Sequence, residues 1–179
     1  MKTVKLETWI LTGLMAAMAT VGTMLVQIPT PMKGYIHLGD SVVYLCGILL
    51  GPVMGGLAAG IGSMFADLFS GYAVFAPATL VIKFMDAAIV GYVYLKIVGD
   101  NSSVARKLVA YTVSVALGGL MMVGGYFTYE VFISNFAGAV GEIPANLIQA
   151  AGDAVIAYPL VLALDRLKVF DRFVKATHS

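Results

Sequence analysis

The chain contains few of the residues on which disulfide-stabilised proteins and hydrolytic enzymes depend. It has one cysteine, Cys46, and two histidines, His37 and His178, and only 12% of its residues are charged. One cysteine excludes a disulfide within the chain. Two histidines, one of them in the C-terminal tail, leave no convincing Ser/His pair for nucleophilic catalysis. These shortages argue against a disulfide scaffold and against a serine hydrolase.

Motifs of nucleotide hydrolysis and of metal-dependent hydrolysis are missing as well. No Gly-x-x-x-x-Gly-Lys-Ser/Thr occurs, so the chain cannot hydrolyse ATP through a phosphate-binding loop. Neither Gly-x-Ser-x-Gly nor His-Glu-x-x-His is present. A net charge of +1 gives no reason to expect a nucleic-acid partner. We therefore expect a protein without catalytic residues, without a bound metal and without a cofactor of its own.

Apolar sequence dominates what is present. Hydrophobic residues make up 60% of the chain and the mean hydropathy is +0.91, which is typical of an integral membrane protein. At about 20 residues per spanning helix, the length allows roughly six spans. We predict an all-α membrane protein with one transmembrane domain over residues 1–179. The predicted spans are 9–28, 41–50, 53–69, 79–98, 104–129 and 143–164.

Positive charges predict the orientation of these spans. With six spans both termini share one side, and nine of the eleven lysines and arginines then lie on that side, in the termini and in segment 96–107. Lys33 lies on the opposite side and Lys83 lies within a span. Because lysine and arginine concentrate on the cytoplasmic side of membrane proteins, we expect both termini in the cytoplasm.

The second predicted span is unusually short. Ten helical residues rise only about 15 Å, so this helix should begin below the membrane surface. The loop before it, which contains Pro29 and Pro31, should then fold inward. Non-helical backbone at that depth is tolerated only where protein buries it or where it lines a wet cavity. The loop is therefore a candidate wall of a binding site.

Polar residues of the other spans cluster at the outer level. They are Asp67, Lys83, Asp86, Glu130, Asn146, Gln149 and Asp153. Ionisable groups in a membrane are costly and usually face a cavity or an interior partner. An ion path would need polar groups at several depths, so we predict an outward-facing binding cup. Lys83 and Asp86, three residues apart on one helical face, could form an ion pair, as could Lys83 and Asp67.

A cup of this composition suits a small, neutral or weakly basic heteroaromatic ligand. No arginine lies on the predicted outer side to bind a phosphate, so we favour an unphosphorylated ligand. Two rival classes stay open. One is a membrane-embedded enzyme that uses Asp67 with His37 or Glu130. The other is a proton-coupled secondary transporter that uses Asp67, Asp86 and Glu130.

The segment 34–83 carries a resemblance to a known family. It contains Gly34-x-Ile36-x-Leu38-Gly39-Asp40, Gly51-Pro52-x-x-Gly55, Gly60-Ile61-Gly62-Ser63-x-x-Ala66-Asp67-Leu68, Gly71-Tyr72, Pro77-x-Thr79 and Lys83. In these motifs, in length and in span number, the chain resembles the substrate-binding S components of energy-coupling factor (ECF) vitamin transporters, in the riboflavin-type group. The second half is more similar to members for hydroxymethylpyrimidine and vitamin B6 than to riboflavin carriers.

The resemblance implies a function and partners. An S component of a prokaryotic cell membrane binds a vitamin near the outer face and topples against a transmembrane T component, driven by two cytoplasmic ATPases that use the ATP. We expect vitamin B6 or hydroxymethylpyrimidine, with riboflavin or another vitamin as the alternative. The expected ligand-binding residues are Tyr35, His37, Asp67, Tyr72, Lys83, Tyr126, Glu130, Asn146 and Gln149. The expected docking residues for the T component are Ala16, Ala19 and Thr20, where packing within the chain is the other interpretation.

Overall fold

The computed structural model describes residues 5–30, 34–99 and 103–166, which form five helices and one small β-hairpin. The elements are α1 (Leu6–Leu25), β1 (Gln27–Pro29), β2 (Tyr35–His37), α2 (Asp40–Phe69), α3 (Ala76–Val98), α4 (Val104–Ile133) and α5 (Phe136–Arg166). Each helix is long and apolar enough to cross a membrane. The prediction of a helical multi-pass membrane protein is therefore confirmed.

Helix α2 reverses direction in its middle. Gly51 has φ 76° and ψ −177°, a backbone conformation almost restricted to glycine, and Pro52 follows without an N–H to donate. A Cβ added to Gly55 would lie 2.3 Å from the carbonyl oxygen of Cys46. In a straight helix, residues nine apart are separated by about 13 Å along the axis. The segments 40–50 and 52–69 are therefore two arms of a helical hairpin.

This hairpin accounts for the number of spans. The predicted break at Gly51-Pro52 is confirmed, and the second and third predicted spans are the two arms of α2. Residues 40–50 rise only about 16 Å, which is too short to cross a membrane alone. Counting the two arms of α2 separately, the described residues form six helical segments, which match the six predicted spans in order. Only five helices have the length to cross a membrane, so six complete spans are not confirmed. The cytoplasmic location of both termini stays a prediction.

Helix α2 also forms the centre of the core. It is the most completely buried of the five helices, whereas most residues in the apolar stretches of α1 and α5 are exposed. Tyr44 and Ile48 of its first arm are almost inaccessible and pack in one cluster with Val90 of α3. The outer apolar faces of α1 and α5 suit contact with lipid, while α2 and α3 supply a rigid interior against which the loops are placed.

The β-hairpin between α1 and α2 folds into the helical bundle. Its strands pair antiparallel, with Gln27 opposite His37 and Pro29 opposite Tyr35. The His37 N–H donates to Gln149 Oε1 of α5 at 2.9 Å, and Gln149 lies about 20 Å of helical rise beyond the start of α5. The hairpin therefore reaches well below the end of that helix. The prediction that the loop before the short helix folds inward is confirmed.

Candidate ligand-binding site

The inward-folded hairpin and the adjacent ends of α2, α3, α4 and α5 surround a cavity. It encloses about 420 Å³ of space free of atoms, part of it open to solvent. The lining residues are Thr30, Gly34, Tyr35, His37, Asp67, Phe75, Thr79, Tyr126, Glu130, Glu142, Asn146 and Gln149. Because five elements of the fold contribute side chains, the cavity exists only when the whole chain is folded.

Aromatic rings form one part of the wall. The Tyr35 ring packs on Tyr72 with 4.3 Å between ring centroids and lies 5.3 Å from the His37 ring. The Tyr126 hydroxyl lies 3.1 Å from Thr79 Oγ1, which fixes the orientation of that ring. These contacts hold flat ring faces at the cavity, where a planar heterocycle can stack.

Tyr35 also joins the hairpin to the end of α2. Its hydroxyl donates to Asp67 Oδ1 at 2.6 Å. Burial, and then the charge of Asp67, raise the pKa of Tyr35 far above its usual value. The tyrosine thus stays a hydrogen-bond donor at every physiological pH, and this bond holds the hairpin over the cavity.

His37 is a neutral hydrogen-bonding group. Its Nδ1 accepts the Gly39 N–H at 3.0 Å, so the ring proton resides on Nε2. Burial lowers the pKa of His37 from 6.5 to about 4, an effect that nearby Asp40 partly opposes. At neutral pH the imidazole therefore carries no charge and has an Nε2 donor available.

An ion pair lies beneath the cavity. Lys83 Nζ donates to Asp40 Oδ1, and both side chains are 0% exposed. Gln149 Nε2 donates to Asp40 Oδ2 at 2.8 Å. Gln149 is therefore bonded on one side to the hairpin backbone and on the other to the ion pair, which connects the cavity lining to the charged interior.

The position of Lys83 corrects two expectations. Lys83 does not line the cavity, and its ion-pair partner is Asp40, in place of Asp86 or Asp67. Sequence spacing did not indicate Asp40 as the partner, because it lies 43 positions from Lys83. The hairpin turn at Gly51 makes the first arm of α2 run alongside α3, which brings Asp40 to the depth of Lys83.

One group of buried residues has donor atoms suited to a metal. Ligand atoms of His37, Asp40 and Asp153 lie within 4.8 Å of one another. Asp40 is already bonded to the Lys83 ammonium, and a second cation beside it would be repelled. The arrangement therefore favours a buried ion pair over a metal centre.

Seven of the nine predicted ligand-binding residues line the cavity. They are Tyr35, His37, Asp67, Tyr126, Glu130, Asn146 and Gln149. Tyr72 and Lys83 lie behind this layer, against Tyr35 and near Tyr126. The lining residues outside the predicted ligand-binding set are Thr30, Gly34, Phe75, Thr79 and Glu142. Glu142 was missed because α5 begins at Phe136, seven residues before the predicted start, so a residue assigned to a loop lies on the helix.

The predicted docking residues pack largely within the chain. Ala19 is 0% exposed and lies against Gly62, which is the packing within the chain that the sequence left open, and its docking role stays a prediction. Thr20 Oγ1 donates to the Gly62 carbonyl at 2.8 Å, and Ala16 also packs against Gly62. Ala16 and Thr20 are half-buried, and their docking role stays a prediction. The small residues that α1 exposes are Gly13 and Ala17.

The fold and this cavity together define a helical membrane protein with a small-molecule site at one end of the bundle. The family model described as "ECF-type riboflavin transporter, S component" matches residues 3–166. The chain belongs to this family. It is therefore the vitamin-binding membrane subunit of an ECF-type transporter and not an enzyme.

Two further comparisons agree with the fold and the extent of the chain. A solved structure described as "Structure and mechanism of the S component of a bacterial ECF transporter" superposes with a TM-score of 0.65 at 18% identity, covering 90% of this chain and 96% of that one. At that identity the match shows the shared fold. A Pyrococcus woesei protein described as "Uncharacterized protein in gap 3'region" is 38% identical over 138 residues, which cover 76% of this chain and 87% of the length of that protein.

Proposed function

We propose that the chain binds a small unphosphorylated pyridine or pyrimidine, vitamin B6 or hydroxymethylpyrimidine, in this cavity at the outer face of the cell membrane. The observation that carries the proposal is the lining itself: ring faces, amides and a neutral imidazole, with no lysine or arginine among its described residues. Phosphate sites in proteins favour arginine or lysine, so this lining fits a ligand without phosphate.

The lining residues suit different parts of such a ligand. Tyr35 and Tyr126 offer ring faces, and His37 Nε2–H and the Asn146 amide offer hydrogen bonds to ring nitrogens or hydroxyls. Gln149 has its oxygen bonded to the hairpin and one amide hydrogen bonded to Asp40. We assign Gln149 mainly to positioning the hairpin, with one amide hydrogen left for a ligand.

We further propose that this subunit works with a T component and two cytoplasmic ATPases. Membership of the family supports this assembly, and the absence of a phosphate-binding loop agrees with ATP being used by the partners. In the proposed cycle the loaded chain topples against the T component, with both termini in the cytoplasm, and releases the vitamin inside.

Riboflavin is the second candidate ligand. The description of the matching family names riboflavin, which favours it independently of the cavity. Its ring system is three fused rings with a polyol chain, so it would need more of the open part of the cavity than a single ring does. Neither the proton-coupled transporter nor the enzyme receives support from the family.

The test is equilibrium binding of a vitamin panel to the purified chain in detergent, without nucleotide or partner subunits. We expect tight binding of one pyridine or pyrimidine, weakened about tenfold or more by Asn146→Ala through loss of a buried hydrogen bond. Asn135→Ala is the matched control, because Asn135 is exposed and, among the described residues, its side chain accepts a hydrogen bond from the nearby Gly138 N–H and does not line the cavity. Tight binding of riboflavin alone would select the second candidate, and no binding of any vitamin would contradict the proposed function.

A further inference from the structure

The cavity wall is rich in acidic side chains. Three carboxylic side chains line it: Asp67 from α2, Glu130 from α4 and Glu142 from α5. They are only 4%, 5% and 3% exposed. No lysine or arginine is among the lining residues that the structure describes. Lys33 lies outside the described residues and is not counted among them.

Among the described residues, the lysine close to this wall is already paired with an acid. Lys83 lies 5.3 Å from the Tyr126 ring centroid and does not line the cavity, and its ammonium is bonded to Asp40. His37 is neutral at physiological pH, because burial lowers its pKa to about 4. Neither group therefore places an unpaired positive charge among the lining side chains that the structure describes.

Two of these acids have an oxygen without a partner. Asp67 Oδ2 and Glu130 Oε2 are both buried and accept no hydrogen bond from any described residue. Glu142 interacts electrostatically with Glu130, which places two acids near each other at one wall. A buried carboxylate oxygen without a donor is unfavourable, so this wall is incomplete until a donor enters the cavity.

A cationic donor would satisfy all of these features at once. An ammonium group can donate to several carboxylate oxygens and gains from their charge, which a hydroxyl group does not. The ring faces of Tyr35 and Tyr126 border the same cavity and attract cations in addition. The acids and the aromatic wall thus favour the same ligand chemistry.

We propose that the site selects an amine-bearing heteroaromatic cation over its neutral hydroxyl counterpart, with Glu130 and Asp67 recognising the ammonium group. This inference rests on the proposed function, since it names the charge of the pyridine or pyrimidine that the cavity binds. Glu130 and Asp67 then determine specificity between ligands of equal size and shape.

Matched ligand pairs test the proposal. Pyridoxamine and pyridoxine differ by an aminomethyl against a hydroxymethyl group, and so do the 5-aminomethyl and 5-hydroxymethyl forms of 4-amino-2-methylpyrimidine. We expect the amine of a bound pair to bind about tenfold tighter or more at neutral pH. Glu130→Gln or Asp67→Asn should reduce this preference to about threefold or less while changing the affinity for the alcohol much less. Glu7→Gln, which removes an exposed acid of α1, is the control and should leave the preference unchanged.

The outcomes separate this inference from the proposed function. Equal affinity within each pair, or tighter binding of the alcohol, overturns the inference and leaves the proposed function standing. A preference for the amine that survives in both variants overturns the assignment to Glu130 and Asp67. No binding of any of these compounds overturns the inference together with the pyridine or pyrimidine assignment. Binding is measured only for a variant that elutes as a monodisperse species. Glu130→Gln and Asp67→Asn each test the amine preference independently.

Discussion

Replacing Lys83 by methionine should strongly destabilise the chain. Lys83 and Asp40 are both 0% exposed, and Gln149 is the only other side chain that donates to the Asp40 carboxylate among the described residues. Methionine has a similar length but no charge, so Asp40 would keep a buried negative charge without its counterion. Removing one partner of a buried ion pair costs about 3–5 kcal/mol. We expect the free energy of unfolding to fall by that amount.

Cys46 provides the assay. It is the only cysteine of the chain and is 0% exposed, in the first arm of α2 six residues after Asp40. A thiol-reactive maleimide dye can label it only after the helical hairpin opens, so the labelling rate in detergent reports the population of open molecules. A loss of 3 kcal/mol should raise this rate about 100-fold or more. A Cys46→Ala chain gives the background.

The double variant Lys83→Met with Asp40→Asn separates the charge effect from the packing effect. Asparagine keeps an oxygen to accept the Gln149 amide and removes the negative charge, so the double variant should lose less than about 2 kcal/mol. If the double variant labels as fast as Lys83→Met alone, the methionine causes its damage through packing. If Lys83→Met labels at the rate of the unmodified chain, the ion pair does not hold the first arm of α2 in place.

Three further predictions follow from the same structure. His37→Asn should make the free energy of unfolding less sensitive to acid. The folded chain keeps His37 neutral down to pH about 4, whereas the unfolded chain takes up a proton near pH 6.5, so the free energy of unfolding falls by up to about 3 kcal/mol as the pH drops through this window. Asparagine does not titrate and removes this dependence. Parallel stability curves for both chains from neutral pH to pH 4 would contradict this. Gly51→Ala should cost about 1–3 kcal/mol in the Cys46 assay, because alanine disfavours φ 76° with ψ −177°, whereas Gly124→Ala, whose added Cβ meets nothing within 4 Å, should be close to neutral. Gly13→Leu lies on the exposed side of α1, the helix that carries the predicted docking residues, and should weaken co-purification with the T component while leaving vitamin binding unchanged. Unchanged co-purification would contradict docking through this side of α1, and loss of vitamin binding would indicate a folding defect.

Local sequence signals predicted the parts of the fold that depend on neighbouring residues. Gly51-Pro52 was enough to indicate a tight turn, because a glycine and a residue without an N–H end a helix wherever they occur. The short apolar run after Asp40 was enough to indicate a helix that begins below the surface, since helical rise per residue is fixed. Four lining residues, Asp67, Glu130, Asn146 and Gln149, were found for the related reason that polar groups in a membrane are few and usually functional. Tyr35, His37 and Tyr126 entered the predicted set through the family resemblance.

Partnerships between distant residues were not predictable in this way. Lys83 and Asp40 are 43 positions apart, and their contact depends on the first arm of α2 lying alongside α3. Sequence spacing offered Asp86, three positions from Lys83, as the simpler partner. The last predicted span began at residue 143, next to Pro144, which left Glu142 in a loop. Pro144 in fact lies inside α5, where membrane helices tolerate proline, and Glu142 lies on the same helix.

The short first arm of α2 explains why the helical bundle has space for a ligand. Its helix occupies only part of the depth that the other helices fill, and the β-hairpin takes the remaining depth above it. The length of this arm therefore contributes to the size of the cup, together with the side chains that line it. Lengthening this arm by one turn would shrink the cup without replacing any lining residue.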